Sequence, residues 1–156
     1  MPHAEGKAVP HMAPSHAHAK HETGPAPFHG LFCWNELMAH DVERAKAFYA
    51  ATIGWTFEAS PMPGGGTYWL IRMPGQEKAA GGIFHMTEPQ FATLPEQWVS
   101  YVAVDDVDKR LKAATKAGAT ILRAPFDVPM AGRIAVLRQP GGALVNWMTP
   151  RPPGGP

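Results

Sequence analysis

Glu36 lies inside the apolar run Leu31-Phe-Cys-Trp-Asn-Glu-Leu-Met-Ala39 and is the first side chain whose chemistry needs explaining. A carboxylate among apolar neighbours is costly unless it is protonated or hydrogen-bonded, so Glu36 needs a partner. Tyr101, Arg133 or a ligand hydroxyl can serve. So held, Glu36 is a candidate general base or an acceptor for a substrate proton. At a rim, the same group is a structural carboxylate tied to backbone or arginine, and the sequence leaves both readings open. The tract His16-x-His18-x-x-His21 has the residue types for metal capture, although imidazoles without a scaffold hold metals weakly. Cys33 reads as a small buried hydrophobe rather than a nucleophile. No Ser/His/Asp order or dinucleotide fingerprint appears, and Gly64-Gly-Gly66 reads as a hairpin turn, with no helix pattern after it.

The segment from Glu36 to Phe57 must position that carboxylate, and it reads as strand, cap, helix, stop and strand. Asp41 stands at the N-cap, and Glu43 complements the positive end of the helix dipole. Val42, Ala45, Phe48, Tyr49 and Thr52 recur at helical spacing and predict the inner stripe, with Glu43, Arg44 and Lys46 outside. Gly54 supplies the left-handed stop. The same grammar returns from Tyr101 to Ile121. Asp41-Val42-Glu43-Arg44 matches Asp106-Val107-Asp108-Lys109 at 106 − 41 = 65, and Gly54 matches Gly118 at 118 − 54 = 64. Leu70 to Gly75 echoes Val136 to Gly141 at an offset of 66. Each half therefore reads strand, helix and about three strands, giving two tandem βαβββ units over about 31–87 and 97–149. Alternation along the first strand sets Cys33, Asn35 and Leu37 toward the helices and Trp34, Glu36 and Met38 away from them. In the second unit, Ser100, Val102 and Val104 oppose Val99, Tyr101 and Ala103. Trp34 and Tyr101 are thereby expected to share the inner face with Glu36, whereas Trp55 and Trp147 read as packing residues.

The Asp-Val-x-x-Ala-x-x-Phe-Tyr-x-x-x-x-Gly-Trp run at 41–55, Val104-Asp-Asp-Val107, Gly118-Ala119 and Pro140-Gly-Gly-Ala-Leu144 carry a resemblance. The chain resembles the vicinal oxygen chelate superfamily of glyoxalases, bleomycin-resistance proteins and extradiol dioxygenases, in its glyoxalase-like branch without an assigned reaction. The resemblance covers about residues 31–149. It implies an α+β fold whose two units form a curved, barrel-like mixed sheet with the helices outside and the ligand on the concave face. It also implies a homodimer, and places Arg133 in a loop that covers the cavity mouth. The metal ligands of such proteins carry over onto Trp34, Phe84, Val99 and Asn146, of which only Asn146 could coordinate. The expectation is therefore a protein without a metal cofactor. The alternative is a displaced divalent site (iron, manganese, nickel or zinc) on Glu36 and His85, serving a lyase, isomerase or dioxygenase.

Length and composition bound the rest. A chain of 156 residues with 45% apolar content fits one domain of two units sharing a core. Net charge is +1 with both signs interspersed, which gives no signature of a nucleic-acid or membrane partner. A single cysteine excludes an intrachain disulfide, and no apolar run nears the ~20 residues of a membrane span. With no apolar stretch of the signal-peptide kind at the N-terminus, a cytoplasmic location is expected. Residues 1–27 are too polar and Pro-rich to bury a core and read as a disordered leader, 28–150 as the folded domain and 151–156 as a Pro/Gly tail. The sequence points to a small, partly apolar or aromatic ligand against Trp34, Glu36, Tyr101 and Asn146, with His85 and Arg133 as further contacts. A drug-sequestering role is a further alternative.

Overall fold

The computed structural model describes residues 26–151, so the His16/His18/His21 tract and the residues after Arg151 lie outside the described part. The first unit comprises β1 (Phe32–Ala39), α1 (Val42–Ile53), β2 (Thr56–Pro61), β3 (Thr67–Arg72) and β4 (Ala79–His85). A 3-10 turn at Pro89–Phe91 lies between the units. The second comprises β5 (Gln97–Ala103), α2 (Val107–Lys116), β6 (Thr120–Val128), β7 (Gly132–Arg138) and β8 (Leu144–Pro150). All eight strands form one curved mixed sheet in the order β2-β3-β4-β1-β5-β8-β7-β6. The first strands of the two units, β1 and β5, pair antiparallel at its centre, and each is flanked by the parallel last strand of its own unit. Because β2 and β6 end the sheet without pairing to each other, the barrel-like form is an open, curved sheet.

Both helices start as their capping residues dictate. Asp41 accepts from the Arg44 amide at 3.0 Å and Asp106 from the Lys109 amide at 2.9 Å. Gly54 ends α1 with φ at 74°, a conformation that costs a residue with a Cβ. The buried stripe of α1 is narrower than the periodicity implied. Val42, Ala45 and Tyr49 pack with Leu37, Ile71 and Ile83, but Phe48 is 58% exposed and Thr52 is also exposed. At about 100° per residue, Phe48 lies about 120° around the helix from Val42, whereas Lys46 lies only about 40° from it. Lys46 accordingly folds inward, with its ammonium 3.5 Å from the centre of the Trp69 ring. Under α2 the matching core is Val104, Val107, Leu111, Ala114, Ala135 and Leu137.

Side chains at the junction tie the two units together. The Trp98 indole donates to the Tyr49 hydroxyl at 2.8 Å, and Tyr49 stacks on Trp55 at 4.9 Å. Glu96, just before β5, accepts from the His40 and Asp41 amides at 2.7 and 2.9 Å and so fixes the β1–α1 corner. The register of β1 against β5 shifts between Phe32 and Trp34. Cys33 sits at this irregularity and, as a residue, is exposed to solvent rather than buried in the core, although its sulfur is partly covered. Its sulfur points to the Tyr101 carbonyl at 3.5 Å, and partial burial of the thiol raises its pKa.

Candidate functional site

Strand pairing sets the concave face residue by residue, because partners directly opposite one another project to the same side of a sheet. One row runs Arg123–Val136–Asn146–Tyr101–Trp34 across β6, β7, β8, β5 and β1. The adjacent row runs Glu58–Leu70–Gly82–Glu36–Val99 across β2, β3, β4, β1 and β5. Apolar walls surround their middle: Val99, Tyr101 and Ile134 are buried there, packed by Trp34, Met38, Phe126, Leu144 and Met148.

Glu36 is held at the centre by both of its oxygens. The Tyr68 hydroxyl donates to Oε2 at 2.8 Å and the Tyr101 hydroxyl to Oε1 at 3.0 Å. Each tyrosine oxygen also has a donor behind it. The Trp34 indole N–H donates to Tyr68 at 2.9 Å, and the Asn146 amide supports the Tyr101 oxygen. These roles are fixed in direction, since an indole can only donate and Tyr101 has already given its proton to Glu36. Asn146 must therefore present its N–H side to Tyr101, and its Oδ1 points away. That oxygen has no hydrogen-bond partner among the described residues, although Asn146 is only 4% exposed. Burial raises the pKa of Glu36, and the two tyrosine hydrogen bonds oppose this. Burial and then the neighbouring Glu36 charge raise both tyrosine pKa values, so these hydroxyls remain proton donors.

Gly82 makes this arrangement possible, because a Cβ there would run into the ring and hydroxyl of Tyr68. Spacing and alternation in the sequence did not point to Tyr68, Gly82 or Arg123. A Gly-Gly pair inside a strand is the one local cue, marking a close approach by another group. Of the partners expected for Glu36, Tyr101 bonds it and Arg133 does not. Arg133 points to the helix side of the sheet, where Asp108 at 2.6 Å and Asp127 at 3.0 Å bind it and hold its pKa up. His85 also lies away from the centre. It pairs with Ala39, three residues beyond Glu36 on β1, and its Nε2 faces the His40 carbonyl at 3.0 Å. A cavity of about 280 Å³ between Trp55, Trp98, Asn35, Ile71 and Ala80 opens on the opposite face, and no acid or base lines it.

The chain matches the profile of the Glyoxalase/Bleomycin resistance protein/Dioxygenase superfamily over residues 10–146. It belongs to this superfamily. Among its relatives is CFP32 of Mycobacterium tuberculosis, provisionally named a glyoxylase, which is 35% identical over 123 residues covering 79% of this chain and 45% of that protein. Another is the anthracycline biosynthesis protein DnrV of Streptomyces peucetius, 31% identical over 73% of this chain and 45% of that protein. The chain thus spans under half the length of these curated relatives. In fold it is similar to methylmalonyl-CoA epimerase from Mycobacterium tuberculosis, with a TM-score of 0.57 and 15% identity over 79% of this chain and 89% of that one.

A divalent metal, as in metal-dependent glyoxalase-superfamily proteins, does not fit the donors present. The register makes Gly82 the counterpart of Asn146, since Gly82 faces Glu36 on β4 as Asn146 faces Tyr101 on β8 and 146 − 82 = 64 matches the repeat. The position carried over to Phe84 therefore moves to Gly82, which offers no donor. Trp34 and Val99 offer none either, and Tyr68 occupies the space above Gly82. Glu36 and His85 do not converge, and no three His, Cys, Asp or Glu side chains come together among the described residues.

Proposed function

We propose that this glyoxalase-superfamily protein binds a small, partly aromatic molecule on the concave face of its sheet, around Glu36, without a metal. The observation that carries this reading is the oriented pair of hydrogen-bond chains that converge on one carboxylate inside an apolar wall. A carboxylate needed only for stability would be cheaper at the surface, whereas this one is preorganised and retains lone pairs for a ligand donor. Trp34 and Phe126 bring aromatic rings to this wall, with Met148 beside them, a surface that suits a ring. The relative named for anthracycline biosynthesis agrees with an aromatic ligand. The test is a fragment screen by NMR with Trp34→Ala and Tyr101→Phe as controls. Aromatic fragments should shift the Trp34 indole signal, and Trp34→Ala should weaken binding by about 1–3 kcal/mol. Hits whose affinity neither substitution changes would refute the site.

A second reading makes Glu36 a general base, and its raised pKa favours it. A basic carboxylate beside tyrosine donors can take a proton from a carbon acid while a hydroxyl steadies the resulting oxyanion. Exchange of ligand carbon-bound hydrogen for deuterium, abolished by Glu36→Gln, is the expected signature.

A further inference from the structure

Arg123 carries the positive charge within these two rows, and no carboxylate among the described residues of its half pairs with it. The repeat shows this by comparison. Glu58 is its counterpart in the first unit (123 − 58 = 65), each being the end of its row. Glu58 is paired with Arg72 at 2.7 Å. The counterpart of Arg72 is Arg138 (138 − 72 = 66), another cation, and it turns away to the Gly142 carbonyl at 2.8 Å. Among the described residues no carboxylate pairs with Arg123, which lies over the Phe126 ring at 3.5 Å. Its charge nevertheless reaches the site, since it acts to lower the pKa of Tyr101. Two strand spacings along the same row, about 10 Å away, the buried Asn146 oxygen lacks a donor.

From this placement we propose that the ligand is an aromatic hydroxy-carboxylate whose carboxylate meets Arg123 and whose hydroxyl donates to Asn146 Oδ1. The proposal rests on the concave-face reading above and adds the substrate class. A planar guanidinium already stacked on a ring binds a carboxylate through paired N–H bonds without losing its orientation. The orphaned oxygen can only accept, so the ligand must bring a hydrogen-bond donor there, which in this class is its hydroxyl. Glu36, in the other row, repels an anion and so fixes which end of the ligand points to β6. A lone guanidinium suits a monoanionic carboxylate better than a dianionic phosphate.

The test is an NMR titration of the full chain with 4-hydroxybenzoate, benzoate, 4-hydroxybenzyl alcohol and phenyl phosphate. 4-Hydroxybenzoate should bind about tenfold more tightly than either benzoate or the alcohol, the scale of one charged or buried hydrogen bond. Arg123→Gln should remove the advantage over the alcohol and leave the alcohol's own affinity unchanged. Arg123 is exposed, so that variant is expected to fold. Asn146→Ala should remove the advantage over benzoate. If the alcohol binds as well as the acid, or phenyl phosphate outcompetes it, the carboxylate assignment is overturned while the site stands. If no probe perturbs the Trp34 indole, the concave-face reading itself fails and the substrate class falls with it.

Discussion

Replacing Glu36 by Gln keeps the length of the side chain and one acceptor oxygen but removes its titration. Tyr68 cannot turn its hydroxyl away without loss, because the Trp34 indole N–H occupies its acceptor side, so the Gln carbonyl should face Tyr68. The Gln amide then donates to Tyr101. Tyr101 can redirect its proton to Asn146 Oδ1 only if that amide flips, which carries the Asn146 NH2 to the buried place where Oδ1 has no partner among the described residues. Burial raises the Glu36 pKa above its ordinary value of 4.5. Between that value and the raised one, the native state holds a proton that the unfolded chain has released. Wild-type stability from this group is therefore complete below the window and is lost as pH rises through it. The glutamine variant has no such loss. One proton sets a limiting slope of about 1.4 kcal/mol per pH unit, or about 4–6 °C in Tm for a domain of this size. Melting curves of both proteins from pH 4 to pH 8 should show the variant gaining on the wild type by up to that slope and then keeping a constant difference from it. Parallel curves, or a wild type that gains with rising pH, would mean that the tyrosine bonds outweigh burial and that the raised pKa is wrong.

Gly82→Ala should push Tyr68 off Glu36, cost about 1–3 kcal/mol and move the Trp34 indole resonance as its acceptor is lost; an unchanged indole signal would refute the role given to Gly82. A chain trimmed to 28–156, which lacks the His16/His18/His21 tract, should hold no divalent metal after dialysis. Near-stoichiometric iron, manganese, nickel or zinc that disappears in Glu36→Ala would overturn the metal-free reading.

Most of the architecture was legible because it is local and duplicated. Asp41, Gly54 and their counterparts mark helix ends through backbone chemistry alone, and the 65-residue offset carries the register from one half to the other. Alternation placed Trp34, Glu36 and Tyr101 on one face because a strand has no freedom to do otherwise. Side chains reaching across several strands were not legible. Tyr68 enters the site only because Gly82, 14 residues further along, leaves room for its ring. Arg133 and His85 looked available, yet each lies on the wrong side of its strand once β7 and β4 are in register. Phe48 and Lys46 exchanged places because helix packing selects its own centre line within an apolar stripe, and a long lysine stem can lie along it.

The site also shows how a duplicated unit becomes an asymmetric one. Glu36 and Tyr101 are repeat partners (101 − 36 = 65), as are Gly82 and Asn146, so the central four positions began as two copies of a pair. In the second unit, the first-strand position carries the hydroxyl and the last-strand position the amide behind it. In the first unit, the first-strand position carries the carboxylate, and its last-strand neighbour is stripped to glycine so that Tyr68 can reach over from β3. The repeat partner of Tyr68 is Ile134 (134 − 68 = 66), which has no hydroxyl and instead fills the wall. A carboxylate in both halves would put two negative charges side by side, and a tyrosine in both would leave two donors without a common acceptor. One acceptor flanked by donors from both units satisfies every member except the buried Oδ1 of Asn146. Arg123, which no carboxylate among the described residues pairs with, lies on the same side of the sheet as that oxygen and in the same row, so the polarity left over from the duplication gathers at one end of the concave face.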